Sequence, residues 1–507
     1  MLPTRIAVFL LSVIFVCPAS GAEDYKPSSV FDVMEIEGIT FTDKELNRQR
    51  LEEKNKGIMT ALIYASRVEH PDSVQAMLNK GTRLTVKNKD RDASKQDLGG
   101  QIPLIYSARR GHLETVKALL KVKGVDINRK DQDGDSALML AAANGRREIM
   151  LLLLGRGSEV NDTDREGYSA LILAAANAHG GLVKILLQRG AEIDKKDKKG
   201  NTALMYAAAN GYDNIVRILL KNGARVNLAN ETGGTALIYA VANGYYNVAQ
   251  ALLQYKAEAN LKNKTGITAL MLATARGNDA LVRLLLDNGA DINAENNSSA
   301  TALMEASARG LMKTVTLLLD NGADQTIRDK DGWTALTCAA VGGDVKIVRR
   351  LLGTGFFSLK KGADPDVKDN RGWTPLMHSA RLGHTGAVEE LLNHNASVNE
   401  RTREGNDTAL IFSSSRGHSD IVKLLLDHKA DINAKNKDGV TALMAASFLG
   451  HTDTVTRLLK KKPEVNSKNR DGFTAMMLAG NEGHSDIVFL LKQAGARYEK
   501  PPKKPSH

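Results

Sequence analysis

The sequence predicts an all-α fold, a solenoid of about thirteen helix-turn-helix repeats with β-hairpin connections. Three observations carry this. Ser136-Ala-Leu, Ser169-Ala-Leu, Thr202-Ala-Leu, Thr235-Ala-Leu, Thr268-Ala-Leu, Thr301-Ala-Leu and Thr334-Ala-Leu open seven successive copies of one motif, each 33 residues after the last. Further copies start near Thr60 and Ile102 and at Thr374, Thr408, Thr441 and Thr474. Each copy contains two short apolar stripes at helical spacing, divided by glycine. A strict period of this length marks stacked units, each unable to bury its apolar face alone, rather than a globular core around a buried active site.

Within a copy each element has a local cause. In DKKGNTALMYAAANGYDNIVRILLK (residues 197–221), Thr202 is placed to cap the first helix by accepting from its free N–H groups. Leu204, Ala207 and Ala208 form its apolar stripe, and small alanines let a neighbouring repeat come close. Gly211 ends that helix. The second carries Ile215, Val216, Leu219 and Leu220, ends at Gly223-Ala224, and leads into a polar hairpin.

The combination D-x-x-G-x-T-A-L-x-x-A-A-x-x-G-x-x-x-I-V-x-x-L-L-x-x-G-A-x-x-N resembles the ankyrin repeat. About a dozen positions recur together, over roughly residues 57–498. The copies depart from the usual T-P-L-H opening. Proline stands only at Pro103 and Pro375, and histidine is replaced by Met or Ile, as at Met139, Ile172, Met205, Ile238 and Met271. Alanine in place of proline loses little, whereas the missing histidine is expected to remove a local hydrogen bond. The T-A-L-M style resembles many bacterial ankyrin proteins. The resemblance implies recognition of a partner protein along the concave surface of hairpins and first helices.

In chain order, residues 1–22 read as a signal peptide. Arg5 is followed by the apolar run Ile6–Val16, which is too short to span a bilayer comfortably, and by the small residues Ser20-Gly21-Ala22. Cleavage would leave Cys338 as the one cysteine and exclude an intramolecular disulfide. Its alanine neighbours place Cys338 in the core. Residues 23–56 are read as an N-terminal capping segment with a capping box at Thr42–Glu45. The repeat array covers 57–498, with insertions near 89–97 and 353–359, and 499–507 form a basic tail expected to be disordered. No other segment is long and apolar enough to cross a membrane. These features predict an exported, periplasmic or secreted monomer.

The residue before each opener varies while the framework does not. Both tryptophans of the chain, Trp333 and Trp373, occupy that position, with Phe356 and Phe357 in the insertion between them. Phe448 and Leu449 end a first helix where other copies have Ala-Asn or Ala-Arg, and Tyr168 and Phe473 also precede openers. Large aromatics anchor protein interfaces, so these eight residues are the candidate partner-binding set. The competing reading is that each Trp packs on its own hairpin and that Phe356 and Phe357 plug a gap in the stack. Tyr212, Tyr245 and Tyr246 are read as surface packing.

His384, His418, His451 and His484 recur one repeat apart, too far to share a metal ion. No phosphate-binding glycine loop, H-E-x-x-H or nucleophile elbow is present, so neither an enzyme nor a cofactor is expected. The net charge of +11 is modest for 507 residues. Local lysines (Lys195, Lys196, Lys198 and Lys199; Lys460–Lys462; the tail) admit an alternative, an anionic-polymer or nucleic-acid binder whose affinity falls steeply with salt. A released effector that binds host proteins is the other. The leading expectation is a non-enzymatic, exported protein-protein interaction scaffold.

Overall fold

The computed structural model describes residues 69–79, 102–121, 125–353 and 362–497. The leader, the capping segment, the Thr60 opener, the insertion at 89–97, the Phe356/Phe357 loop and the 499–507 tail lie outside the described residues. The chain divides into two compact units, Met1–Glu258 and Ala259–His507. The described residues form twenty-five helices: one single helix, Pro71–Asn79, then twelve pairs. Each unit is an all-α stack in which first helices pack on first helices and second helices on second helices.

In the first unit, the pair Ala203–Ala209 and Asp213–Lys221 shows how sequence becomes structure. Thr202 Oγ1 accepts the Met205 N–H at 3.4 Å, so the expected N-cap forms. Leu204, Ala207, Ala208, Ile215, Val216 and Leu219 are all buried, and a buried leucine of this kind contributes about 2 kcal/mol. At the end of the second helix the Ala224 N–H reaches back to the Leu219 carbonyl at 3.1 Å while Gly223 takes φ 88°. That arrangement satisfies the last carbonyls of the helix and reverses the chain.

The second unit repeats the plan over seven pairs, from Ala269–Ala275 to Ser485–Gln493. Pro375 sits in the first turn of its helix behind Thr374, as Pro103 does behind Ile102 in the first unit. Cys338 is buried in its first helix, and burial pushes its thiol well above the usual range.

Two expectations are corrected. The connections are not strand hairpins: among the described residues only Thr163 and Ser169 pair as a β-bridge. Instead one Asp or Asn side chain organises most of these turns, and Thr402 Oγ1 takes that place in one. Asp197 Oδ1 accepts the N–H groups of Lys199 and Asn201 at 2.9 and 2.7 Å, taking donors that a partner strand would otherwise need. The methionines in the histidine position also do not simply forfeit a hydrogen bond. The Ser136 and Thr374 N–H groups lie 3.4 Å from Met139 Sδ and Met377 Sδ, so a weak thioether acceptor closes the capping box in those two repeats.

A second set of asparagines stitches consecutive connections together. Asn161 Oδ1 accepts the Glu192 N–H at 2.7 Å and Asn227 Oδ1 the Glu258 N–H at 2.9 Å. In the other unit Asn260, Asn293, Asn433 and Asn466 do the same with the backbone 31 residues on.

Candidate functional site

The residue before each opener follows the turn rather than forming its tip. In the second unit the turn is Lys330-Asp331, and the Trp333 N–H returns to Asp329 Oδ1 at 2.7 Å. This folds Trp333 and Trp373 back over the first helices, where both are half-buried.

The two indoles do not pack in isolation. His378, on the first helix of the Trp373 repeat, lies between them. Its ring centroid is 5.2 Å from that of Trp333 and 5.1 Å from that of Trp373. Trp373 stacks on Phe412 of the next repeat at 4.3 Å with 29° between planes. The Arg381 and Arg371 guanidiniums lie over the Trp373 ring at 5.3 and 5.7 Å, within reach of a cation-π attraction. The cluster therefore spans three successive repeats.

Asp369 anchors it from below. One carboxyl oxygen accepts the N–H groups of Arg371 and Trp373 at 2.9 and 2.8 Å, and the other pairs with His378 Nε2 at 3.1 Å. Burial pushes this carboxyl up. The His378 hydrogen bond and the two N–H groups outweigh burial and leave it below the usual carboxylate range. Among the described residues Trp333 Nε1 is enclosed with no acceptor.

Of the other predicted residues, Phe448 and Leu449 are 43% and 46% exposed at the end of their first helix. That is high for apolar side chains, and Leu382 is exposed at the equivalent end one position before Gly383. Phe473 is half-buried near the end of the second unit, away from the tryptophans in sequence. Tyr168 belongs to the first unit, where it packs edge-on against Tyr206 at 5.9 Å. Phe356 and Phe357 fall outside the described residues.

The sequence reading did not include His378, Phe412, Arg371 or Arg381. Each pair of openers offers a signal for the first two: His378 and Phe412 both stand four residues after a threonine opener, on the same face of the first helix. Tyr206 and Tyr239 occupy that position in the first unit and are buried there.

The recurring histidines join neighbouring repeats. His384, His418, His451 and His484 place Nε2 between 3.0 and 3.2 Å from a carbonyl at the end of the preceding first helix. The ring rests on the preceding glycine. At Gly343, with φ 76°, an added Cβ would stand 2.5 Å from His384 Nδ1. In the first unit Tyr245 covers Gly211 in the same way. Among the described residues no group of His, Cys, Asp or Glu could hold a metal ion, and no helix is long and apolar enough to cross a membrane.

The chain matches the family described as Ankyrin repeats (3 copies) in overlapping blocks between residues 62 and 501. It belongs to the ankyrin repeat family. Ankyrin repeats are protein-protein interaction modules, typically without enzymatic activity. The chain is also similar to the human photoreceptor ankyrin repeat protein, at 32% identity over 94 residues. The match covers 18% of this chain and 20% of that relative.

Proposed function

We propose that this protein is a non-enzymatic, exported scaffold that holds a partner protein on the hairpin and first-helix surface of its second unit, centred on Trp333 and Trp373. The Trp333–His378–Trp373–Phe412 cluster carries the reading. It sets large, partly exposed rings on a framework already ordered by caps and turns, so a partner would meet little ordering cost. Phe448 and Leu449 extend the apolar surface. The apolar run behind Arg5 and the small residues before Glu23 support export.

The polyanion alternative has less support. Lys196 Nζ donates to the Ala229 carbonyl, Lys195 and Lys198 pair with Glu192 and Glu166, and Lys461 pairs with Asp427. These lysines are already engaged within the chain.

The test is a pull-down from the envelope fraction and medium of the source organism, with wild type beside a Trp333→Ala/Trp373→Ala variant. A protein held by wild type and lost with the variant is expected. Equal capture by both would move the site elsewhere. Fractionation with N-terminal sequencing checks export: a mature start near Glu23 in the envelope or medium is expected, and an unprocessed chain in the cytoplasm would refute it.

A further inference from the structure

Four arginines of the second unit are held in ion pairs. Arg349 grips Glu390 with two hydrogen bonds at 3.0 and 2.7 Å, and Arg350 and Arg457 pair with Asp320 and Asp420. Arg309 is paired with Glu305 on its own helix. Arg371, Arg381 and Arg416 make no ion pair among the described residues, as is also true of Arg276, Arg283, Arg328, Arg401, Arg403, Arg470 and Arg497; what sets them apart is that Arg371 and Arg381 lie over the Trp373 ring and Arg416, in the next repeat, is close enough to Arg381 to repel it. Residues 354–361 contain no carboxylate that could serve them.

We infer that this platform seats an acidic segment of the partner protein: a short extended peptide that presents carboxylates beside a large apolar side chain. The inference rests on the scaffold reading above and names the chemistry of its partner. A guanidinium lying over an indole keeps its edge N–H groups available, and that planar fork matches a carboxylate two bonds at a time. Burial, and then the charges of Arg416 and Arg371, push Arg381 below the usual arginine range, so an arriving anion would relieve a repulsion already present.

The neighbouring positions suit a peptide better than a polyanion. Leu382, Arg416 and Leu449 end three successive first helices. His418 and His451 hold those ends in register through the Arg381 and Ser415 carbonyls, each at 3.2 Å. Along these three ends a cation sits between two exposed apolar side chains, which gives a peptide's apolar residue a seat beside its carboxylates.

The experiment pans a phage-displayed library of random peptides on the full chain. Selected peptides are then synthesised and titrated by intrinsic fluorescence. Both tryptophans of the chain lie in the cluster, so the emission reports this site. Peptides enriched in Asp and Glu beside an apolar residue are expected. Their Kd should rise about tenfold or more in an Arg371→Gln/Arg416→Gln variant, since each removes a charge-assisted hydrogen bond to the peptide. Both positions are exposed, and circular dichroism confirms that the variant is folded.

Peptides without acidic bias, or unchanged affinity in the arginine variant, would overturn the acidic seat while the Trp333→Ala/Trp373→Ala pull-down still decides the scaffold. Failure to select any peptide that perturbs the emission would also overturn it. So would a single-stranded oligonucleotide or heparin that shifts the emission in preference to the acidic peptides.

Discussion

The two units place different chemistry on the same repeat positions. In the first, Asp197 and Tyr206 stand nine residues apart, and Tyr206 O–H donates to Asp197 Oδ2 at 2.7 Å. Asn230 and Tyr239 repeat the spacing at 2.6 Å, and Asn230 Nδ2 also donates to Asn201 Oδ1 at 2.6 Å. In the second unit the same spacing joins Asp369 to His378. There the chain around it carries indoles and arginines instead of tyrosine and asparagine. The first network satisfies itself, donor to acceptor, and leaves little for a partner. The second ends in guanidiniums that, among the described residues, pair with no carboxylate, and in half-buried rings. One scaffold position can therefore serve cohesion or recognition, depending on whether its polar groups are consumed internally.

The largest effect should come from the first network. Asn230→Ala strands Asn201 Oδ1 and releases the Thr232 and Gly234 N–H groups. It is expected to cost about 3 kcal/mol, because buried partners are left unsatisfied. Urea unfolding followed by circular dichroism checks this, and peptide binding at the second unit should be unchanged. Coupled loss of binding would break the division between the two surfaces.

Trp373→Ala should come next, at about 2 kcal/mol for a half-buried ring stacked on Phe412 and His378. It should also abolish capture of the partner. A stable variant that still binds would leave the cluster as packing alone.

Two carboxylates of the connections, Asp135 and Asp369, should respond to pH in opposite directions. Burial, and then the charges of Asp131, Asp164 and Asp133, push Asp135 up to about 7. The folded state thus holds that proton more tightly than the unfolded chain. The associated stability is present below about pH 4 and is lost as pH rises towards 7. Asp135→Asn should raise stability at pH 8 by about 1 kcal/mol or more and leave it nearly unchanged at pH 4. Asp369 lies below its ordinary value, so its contribution is present at neutral pH and is lost only as pH falls below about 4. Thermal melts of Asp135→Asn and Asp369→Asn across pH 3–8 would show the contrast, and parallel profiles would refute it.

The smallest effect is expected at Trp333→Phe. This change keeps an aromatic edge against His378 and removes an indole N–H enclosed without an acceptor. Stability should shift by no more than about 0.5 kcal/mol, or rise, because the orphan donor is itself a cost. A loss of several kcal/mol in the melt would mean that the indole nitrogen has a structural role.

Much of the fold could be read from the sequence because its causes are local. Thr202 caps, Ala207 packs and Gly211 turns the chain, each within a few residues of its partner. The candidate surface was only half legible. Trp333 and Trp373 stood out by rarity and position, but what joins them is His378, 45 residues beyond Trp333 and across an insertion. Its meaning depends on which faces the stack brings together. Arg371, Arg381 and Arg416 read as ordinary surface charge, because a missing ion pair appears only when every neighbour is in place. The capping thioethers of Met139 and Met377 were invisible for a different reason: sulfur is too weak an acceptor to predict from residue type.

The asparagine stitches carry a consequence for how such a chain can change length. Within each unit they reach the backbone 31 residues on, from positions that recur with the repeat. Most junctions are thus cut to the same pattern, with Asp194 and Asp366 in the place of asparagine at two and a span of 32 residues at Asn399. Excising one whole period, from a stitch asparagine to its counterpart in the next copy, would rejoin ends that already match. The array can then gain or lose layers as a row of bricks does, without redesign of its neighbours. The insertion before Gly362 is an exception to this modularity, and it falls between the two tryptophans.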